Sequence, residues 1–421
     1  MVALLLCTMV FFLVLNFPMV IPMVAAPLAV MIGYMPNMDL SMACQQLIAG
    51  VSSTVLLSVP MFILAADIMC AGTTTKRLLD LVETFVGHIH GGMAITTATT
   101  CTMFGAISGS TQATVVAIGK PMRQRLLGLG YKDSDSAALI ICSAIIALLI
   151  PPSISMIMYA VVTGTSVGDL FIAGVVPGIL MLLFFAVYSY IFARMKKMPM
   201  QPKATWAQRA AAFKRAIAPL GFPVIIFAGI YSGFFSPTEA AAIAVLYALI
   251  LELFVFRSIK VKDLKAISLS TAVVTSAVFV LVAGGALFSW VISYAQIPQM
   301  LTGAILGDAP SALQILVTVT VFFFIGCMFV DSLVVIIILS PIFYALAVQA
   351  GIDPIHLGII ITLQAAVGSV TPPFGCNIFT ACAIFNRPYL DMVRGLPPYL
   401  IMLIAISVLI ILFPQLSLCL L

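Results

Sequence analysis

Residues 321–340 read VFFFIGCMFVDSLVVIIILS, two apolar runs that meet at a single carboxylate, Asp331. An acid at membrane depth is costly and usually functional, and no basic residue stands near it in sequence to pair with it. A bound cation is the economical partner. A protonated carboxyl and a helix N-cap are the other readings, and capping is compatible with cation binding. Asp331 and Ser332 interrupt a stretch that runs over 311–349, so the sequence predicts two arms joined by a polar tip.

The surroundings fix the solvent. Hydrophobic residues make up 63% of the 421, charged residues only 8%, and mean hydropathy is +1.24. A soluble domain needs roughly a quarter of its residues charged, so this surface faces lipid. Backbone groups in hydrocarbon must satisfy one another, which leaves helices or closed barrels. The apolar runs are too long and unbroken for barrel strands. The fold class is an all-α integral membrane protein. The nine cysteines are scattered, with no CxxC or Cys/His metal spacing, and act as small apolar residues. Three histidines, no HExxH and no phosphate loop argue against haem, metalloprotease and ATPase chemistry.

Basic segments orient the chain. Residues 194–215, RMKKMPMQPKATWAQRAAAFKR, hold seven basic residues and no acid, and basic loops stay cytoplasmic. A second basic segment carries Arg257, Lys260, Lys262 and Lys265, two crossings later. Earlier, Lys76-Arg77 and Arg123, Arg125 and Lys132 flank GGMAITTATTCTMFGAISGSTQATVVAIGKPM (91–122). If both flanks are cytoplasmic, 91–122 enters and leaves on one side. Its arms are also too short for full spans, so it is a re-entrant hairpin. By the same count 311–349 dips in from the periplasmic face. A span is expected over 46–72, and two short ones over 2–36, which Pro18, Pro22 and Pro27 interrupt.

The chain repeats itself. Pro151-Pro152 and Pro372-Pro373 lie 221 positions apart, and the same offset pairs Gly105 with Gly326, Ser110 with Asp331, Gly174 with Gly395 and Pro177 with Pro398. Hairpin, broken helix and span recur in order, which predicts two inverted-topology repeats, the signature of secondary transporters. Proline lacks an amide hydrogen. Pro151 and Pro152 should therefore free the carbonyls of Ala147 and Leu148, and Pro372 and Pro373 those of Gly368 and Ser369. Bare carbonyls beside hydroxyls suit sodium. Ser108, Gly109, Ser110 and Thr111 form the first hairpin tip, Asp331 and Ser332 the second. Each tip begins a helix whose N-terminus carries about half a positive charge, a place for a carboxylate; neutral and cationic substrates stay open. Glu239 follows Ser236-Pro237-Thr238, a capping pattern, and Asp67 has no assigned role.

The segments FGAISGSTQATVVAIG (104–119), IPPS (150–153), GCMFVDSLVVIIILSPIF (326–343) and TPPFGCNIF (371–379) resemble the large membrane subunit of tripartite ATP-independent periplasmic (TRAP) transporters, end to end. The likeness looks closest to the sialic-acid (N-acetylneuraminate) type, with C4-dicarboxylate members sharing the motifs. The resemblance implies a sodium-coupled importer in the bacterial cell inner membrane that works by an elevator mechanism. Its partners would be a small four-helix membrane subunit (Q) and a periplasmic substrate-binding protein (P). It also implies one sodium site at Ser108, Ser110, Ala147 and Leu148, with Pro151 and Ser153 in its loop, and another at Asp331, Ser332, Gly368 and Thr371, beside Ser369.

The expected division is scaffold over 1–87, a transport-domain half over 88–195, a basic linker over 196–215, scaffold over 216–296, a second transport half over 297–396 and a final helix over 397–421. A sodium/dicarboxylate carrier acting without a binding protein and a gated anion channel are the alternatives.

Overall fold

The computed structural model describes residues 1–15, 17–296, 300 and 310–421, and every regular element among them is helical. The first repeat runs through α1 (Val2–Val14), α2 (Val20–Tyr34), α3 (Ser41–Val51), α4 (Ser58–Ala71), α5 (Thr74–Val86), α6 (Gly92–Ser108), α7 (Thr111–Gly128), α8 (Asp133–Ala144), α9 (Ile154–Thr163) and α10 (Val167–Met195). The second runs through α11 (Trp206–Tyr231), α12 (Pro237–Leu249), α13 (Asp263–Tyr294), α14 (Ala312–Phe329), α15 (Ser332–Gln349), α16 (Pro354–Ser369), α17 (Cys376–Phe385), α18 (Tyr389–Val393), α19 (Pro397–Leu412) and α20 (Gln415–Leu418). Among the described residues seven helices are long and apolar enough to cross a membrane.

The repeat is written in the helix boundaries. Shifted by 221 positions, α7 lands on 332–349, the whole of α15, and α6 on 313–329, one residue short of α14. The same shift carries the start of α8 onto Pro354 and that of α9 to within one residue of Cys376. Both hairpins and both broken helices are therefore present in order. The two short helices expected over 2–36 are α1 and α2.

Two expectations are corrected. The span over 46–72 is two helices. Ser52 donates its hydroxyl to the Ile48 carbonyl (2.7 Å), Ser53 turns extended, and a one-turn 3-10 segment over Thr54–Leu57 precedes α4. Hydroxyls that bond back to their own helix compete with its ladder and bend it. The basic linker over 196–215 is also shorter than expected, because α11 starts at Trp206. Thr205 and Gln208 form a capping box there: Thr205 Oγ1 accepts from the Gln208 amide (3.3 Å) and Gln208 Oε1 from the Thr205 amide (2.8 Å). The expected boundary at 215 thus falls inside a helix. Those at 87, 195 and 396 fall at helix ends, and that at 297 lies outside the described residues.

Acids outside the hairpins and broken helices find polar partners, two of them across the repeats. Asp67 on α4 accepts from the Thr271 hydroxyl on α13 (2.7 Å). Glu239 caps α12 through Ser236, as its spacing predicted. Glu252 sits fully buried in a π-helical turn over Ile250–Val255. Its carboxylate accepts from Thr74 Oγ1 (2.6 Å), the Thr73 amide (3.3 Å) and the Ser258 hydroxyl. A carboxylate of the second repeat thereby caps the first-repeat helix α5, whose free N-terminal amides need acceptors. The Gly72 Cα packs against it, leaving no room for a Cβ. Replacing Glu252 by Ala strands those donors. The expected loss is roughly 2–3 kcal/mol, with Glu252→Gln milder. Thermal unfolding of the purified protein reads it, and an Ala variant that melts with wild type overturns the anchoring role.

At the basic end, Asp133 takes a bidentate bond from Arg123 (2.6 and 2.7 Å) and a contact from Arg387 Nε at 3.2 Å. The Arg123 guanidinium holds the Asp133 carboxyl below the usual carboxylate range, and Arg387 adds to it. This cluster ties the outer end of the first hairpin, the start of the first broken helix and the loop after the second.

Candidate functional site

Each hairpin turns on a polar residue that caps its outgoing helix. After α6, Gly109 takes a left-handed conformation (φ +59°) and Ser110 turns extended, its hydroxyl accepting from the Ala113 amide (3.4 Å). After α14, Val330 is extended and Asp331 Oδ1 accepts from the Leu333 amide (2.9 Å). Short side chains with an acceptor oxygen are the preferred N-caps, so the tips form where a small polar residue ends an apolar run. The N-cap reading of Asp331 is observed, and its carboxylate makes no ion pair among the described residues.

The two tips meet. A cavity of about 60 Å³ is lined by Gly109, Ser110, Thr111 and Gln112 from the first hairpin and by Asp331, Ser332 and Leu333 from the second. Leu148, Ile154 and Ser155 of the first broken helix and Cys376 of the second complete it. Tip-to-tip contact is what hairpins entering from opposite faces produce. Both capped N-termini, with their partial positive charge, open on the same small volume.

Packing between the repeats holds this geometry. Within each repeat the incoming hairpin arm lies on its own broken helix, α6 on α8 and α14 on α16. The outgoing arms cross over: α7 packs on α17, and α15 on α9. Two glycines permit the close approaches. A Cβ on Gly105 would stand 2.6 Å from the Ala147 side chain, and one on Gly368 would meet the Cys327 backbone at 2.9 Å. Shifted by 221 positions, the Gly105–Ala147 pair lands on Gly326 and Gly368, one residue from the contact found.

The broken helices do most of what their prolines predicted. A 3-10 turn over Ile145–Leu148 ends α8, and the amides of Leu149 and Ile150 both donate to the Ile146 carbonyl (3.0 and 3.1 Å). Ala147 and Leu148 would next bond residues 151 and 152, both prolines without amide hydrogens. In the second repeat the expectation is corrected at Gly368. Its carbonyl accepts from the Thr371 amide (3.1 Å), because the chain tightens into i→i+3 turns before Pro372. Thr371 Oγ1 donates to the Val367 carbonyl (2.7 Å) and Ser369 Oγ to that of Ala366 (2.7 Å).

Of the residues singled out in sequence, Gly109, Ser110, Thr111, Leu148, Asp331 and Ser332 come together on the cavity wall. Ser108 lies behind it, its hydroxyl within 3.2 Å of Thr114 Oγ1 and 3.3 Å of the Ser110 carbonyl. Ser153 caps α9. Ala147, Pro151, Gly368, Ser369 and Thr371 are buried in the two loops and do not line the cavity. Sequence reading missed Asn377. It is fully buried on α17, its Oδ1 accepts from Thr111 Oγ1 (2.8 Å), and its Nδ2 has no partner. The amide group therefore keeps unused hydrogen-bonding capacity beside the first tip among the described residues. The only signal in sequence was its place inside TPPFGCNIF.

The donor set is hydroxyls, carbonyls and one carboxylate. No group of three or more His, Cys, Asp or Glu side chains gathers among the described residues. Oxygen ligands suit hard cations rather than transition metals.

Comparison with known proteins bears on the reading. The family model described as the tripartite ATP-independent periplasmic transporter, DctM component, matches residues 6–416. The ectoine TRAP transporter large permease of Halomonas elongata is 52% identical, over 99% of this chain and 98% of its own length. The ectoine/5-hydroxyectoine large permease of Ruegeria pomeroyi is 53% identical over 98% and 96%. A sialic acid large permease of Vibrio cholerae is only 33% identical, over 90% and 89%. The expected closeness to the sialic-acid type is therefore corrected. The motifs that suggested it lie in hairpin tips and proline loops, and they do not report the solute. The crystal structure of the Alcanivorax borkumensis YdaH transporter shares the fold, with a TM-score of 0.63 at 15% identity over 90% of this chain and 88% of that one.

Proposed function

We propose a carrier mechanism on one premise: this chain belongs to the tripartite ATP-independent periplasmic transporters, as their DctM component, the large permease. It is an inner-membrane transport subunit and not an enzyme. On our reading it is the sodium-coupled, moving part of an importer for a small zwitterionic solute of the ectoine class. The observation that carries this reading is the cavity between two capped hairpin tips, with Asp331 on its wall and in no ion pair among the described residues.

Sodium would be held at the first tip by Ser110 with the Leu148 carbonyl, and at the second by Asp331 and Ser332. The Gly368–Thr371 loop, packed on Cys327, supports the second set. The ion supplies positive charge and orders oxygens that otherwise repel one another. The capped N-termini of α7 and α15 then receive the solute carboxylate. Ectoine also carries a delocalised amidinium, for which the carbonyls and hydroxyls of the tips are suitable acceptors. The cavity as it stands suits an ion and water, so solute entry requires the tips to part.

Elevator movement follows from the packing in this proposal. The crossed contacts of α7 on α17 and α15 on α9 make the hairpins and broken helices one unit, moving against α1–α4 and α11–α13. The word tripartite calls for two further components, and a small four-helix membrane subunit and a periplasmic binding protein are the proposed ones.

The experiment is ectoine uptake into proteoliposomes holding this chain and the small subunit, with the binding protein outside. An inward sodium gradient should drive accumulation above the outside concentration, and potassium should not. Equal uptake in both cations sinks the coupling. Accumulation of succinate in place of ectoine sinks the solute assignment and leaves the carrier standing. Flux that only equilibrates the solute identifies a channel.

A further inference from the structure

A second cavity, of about 170 Å³, opens at the basic end of the fold, among Tyr131, Asp135, Tyr188, Phe192, Arg394 and Tyr399. Ala94 also lines it, and Ala94 precedes the first hairpin tip at Ser108 by about 21 Å along α6, at 1.5 Å per residue. It is thus separate from the tip cavity. Basic residues stand at this end of the elements that line it: Lys132 just before α8, Arg194 in the last turn of α10, and Lys196 and Lys197 just after it, which places its mouth on the cytoplasmic side.

The wall has an unusual make-up. Its aromatic rings are mutually braced: Tyr188 meets Tyr399 edge-on at 5.2 Å, and Tyr131 stacks on Phe192 at 6.3 Å. None of the three tyrosine hydroxyls has a protein partner among the described residues, and the Ser189 hydroxyl on the same wall is buried and unpaired. Asp135 is half-buried and makes neither an ion pair nor a side-chain hydrogen bond among the described residues. Arg394 is held only by Asp391 at 3.8 Å, with its side chain 74% exposed. Surface pairs of that kind contribute little, so its guanidinium is free to turn.

A ring of aromatics recognises an organic cation through its π faces. A carboxylate without an ion pair at the ring reinforces that choice, and a guanidinium held only by an exposed surface pair at the rim adds a carboxylate partner. We propose that this cavity is a cytoplasm-facing binding site for a compact zwitterion. The ligand's ammonium or amidinium would sit among Tyr131, Tyr188 and Tyr399 against Asp135, and its carboxylate would meet Arg394. The volume, about five or six waters' worth, fits a small cyclic or branched solute and excludes a lipid chain. Bound there, the ligand joins the outer end of the first hairpin to the start of α8, the end of α10 and the start of α19. It loads from the compartment into which solute is delivered, so the site reads accumulated product.

The test measures binding of radiolabelled ectoine to the full chain with its small subunit in nanodiscs, in potassium without sodium. Asp331→Ala in the background disables the tip site. Saturable ectoine binding should remain, and tetramethylammonium should compete for it. Asp135→Asn should weaken it about tenfold and Arg394→Gln several-fold. Both residues are surface-accessible, so the variants should melt with the parent. Absence of binding in potassium overturns the site, as does binding indifferent to both substitutions or to tetramethylammonium. Ectoine uptake in sodium by the protein with Asp331 intact reports the tip site independently.

Discussion

Asp331→Asn should abolish sodium-driven accumulation while leaving the second hairpin folded. The two roles of this residue separate cleanly in that substitution. As an N-cap, Asp331 gives one oxygen to the Leu333 amide, and asparagine caps about as well as aspartate. As the only carboxylate among the described residues of the cavity wall, it supplies a charge that asparagine lacks. Capping alone therefore predicts a wild-type Asn variant and an Ala variant weakened by about 1 kcal/mol. Cation binding predicts that both fail, with apparent sodium affinity lowered roughly ten- to hundredfold. Sodium titration of uptake in the three proteins decides it. An Asn variant with unchanged sodium dependence removes Asp331 from the ion site and leaves it as a cap.

Much of this site was legible because the physics that made it is local. Ser110 and Asp331 stand where an apolar run is broken by a capping residue, and caps are read from neighbours in sequence. The proline pairs forbid bonds at known offsets, and a single offset of 221 carries helix ends of one repeat onto those of the other. Local rules also explain the misses. Ser52 and Ser53 divide the span over 46–72, yet the same hydroxyls are tolerated inside other helices, so nothing nearby marks the break. The Gly368 carbonyl was expected bare, but the chain recovered a bond by tightening its turn at a point where the Cys327 backbone packs close against it.

Contacts between distant residues were out of reach. Thr111 and Asn377 are 266 positions apart, and only the crossed packing of α7 on α17 joins them. The role of Glu252 emerges only with α5, the first-repeat helix it caps. The solute was the least legible feature. The quoted motifs lie at the tips and proline loops, where every member of the family must handle the same backbone geometry.

Gly109→Ala should lose most transport, whereas the same change at Gly164 should be nearly silent. Both glycines are left-handed, with φ +59° and +73°, and each alanine would cost about 1–2 kcal/mol for that backbone alone. Their surroundings differ. A Cβ on Gly164 meets nothing within 4 Å, whereas a Cβ on Gly109 runs into the Pro152 carbonyl, backbone that has no far end to swing aside. Alanine at 109 must push the first tip off the proline loop. That shift separates Ser110 from Leu148, the two groups whose oxygens the ion site combines, and opens the cavity on its other wall. The expected result is uptake reduced at least about tenfold for Gly109→Ala, with a melting temperature at or somewhat below that of Gly164→Ala. Equal stability with unequal transport assigns the loss to tip placement. Gly109→Asn sharpens the point, since asparagine tolerates the left-handed region yet still carries the offending Cβ. If Asn restores transport, backbone strain was the cause and the contact with Pro152 is incidental. If it fails with Ala, the close approach of hairpin to proline loop is what the glycine is there to allow.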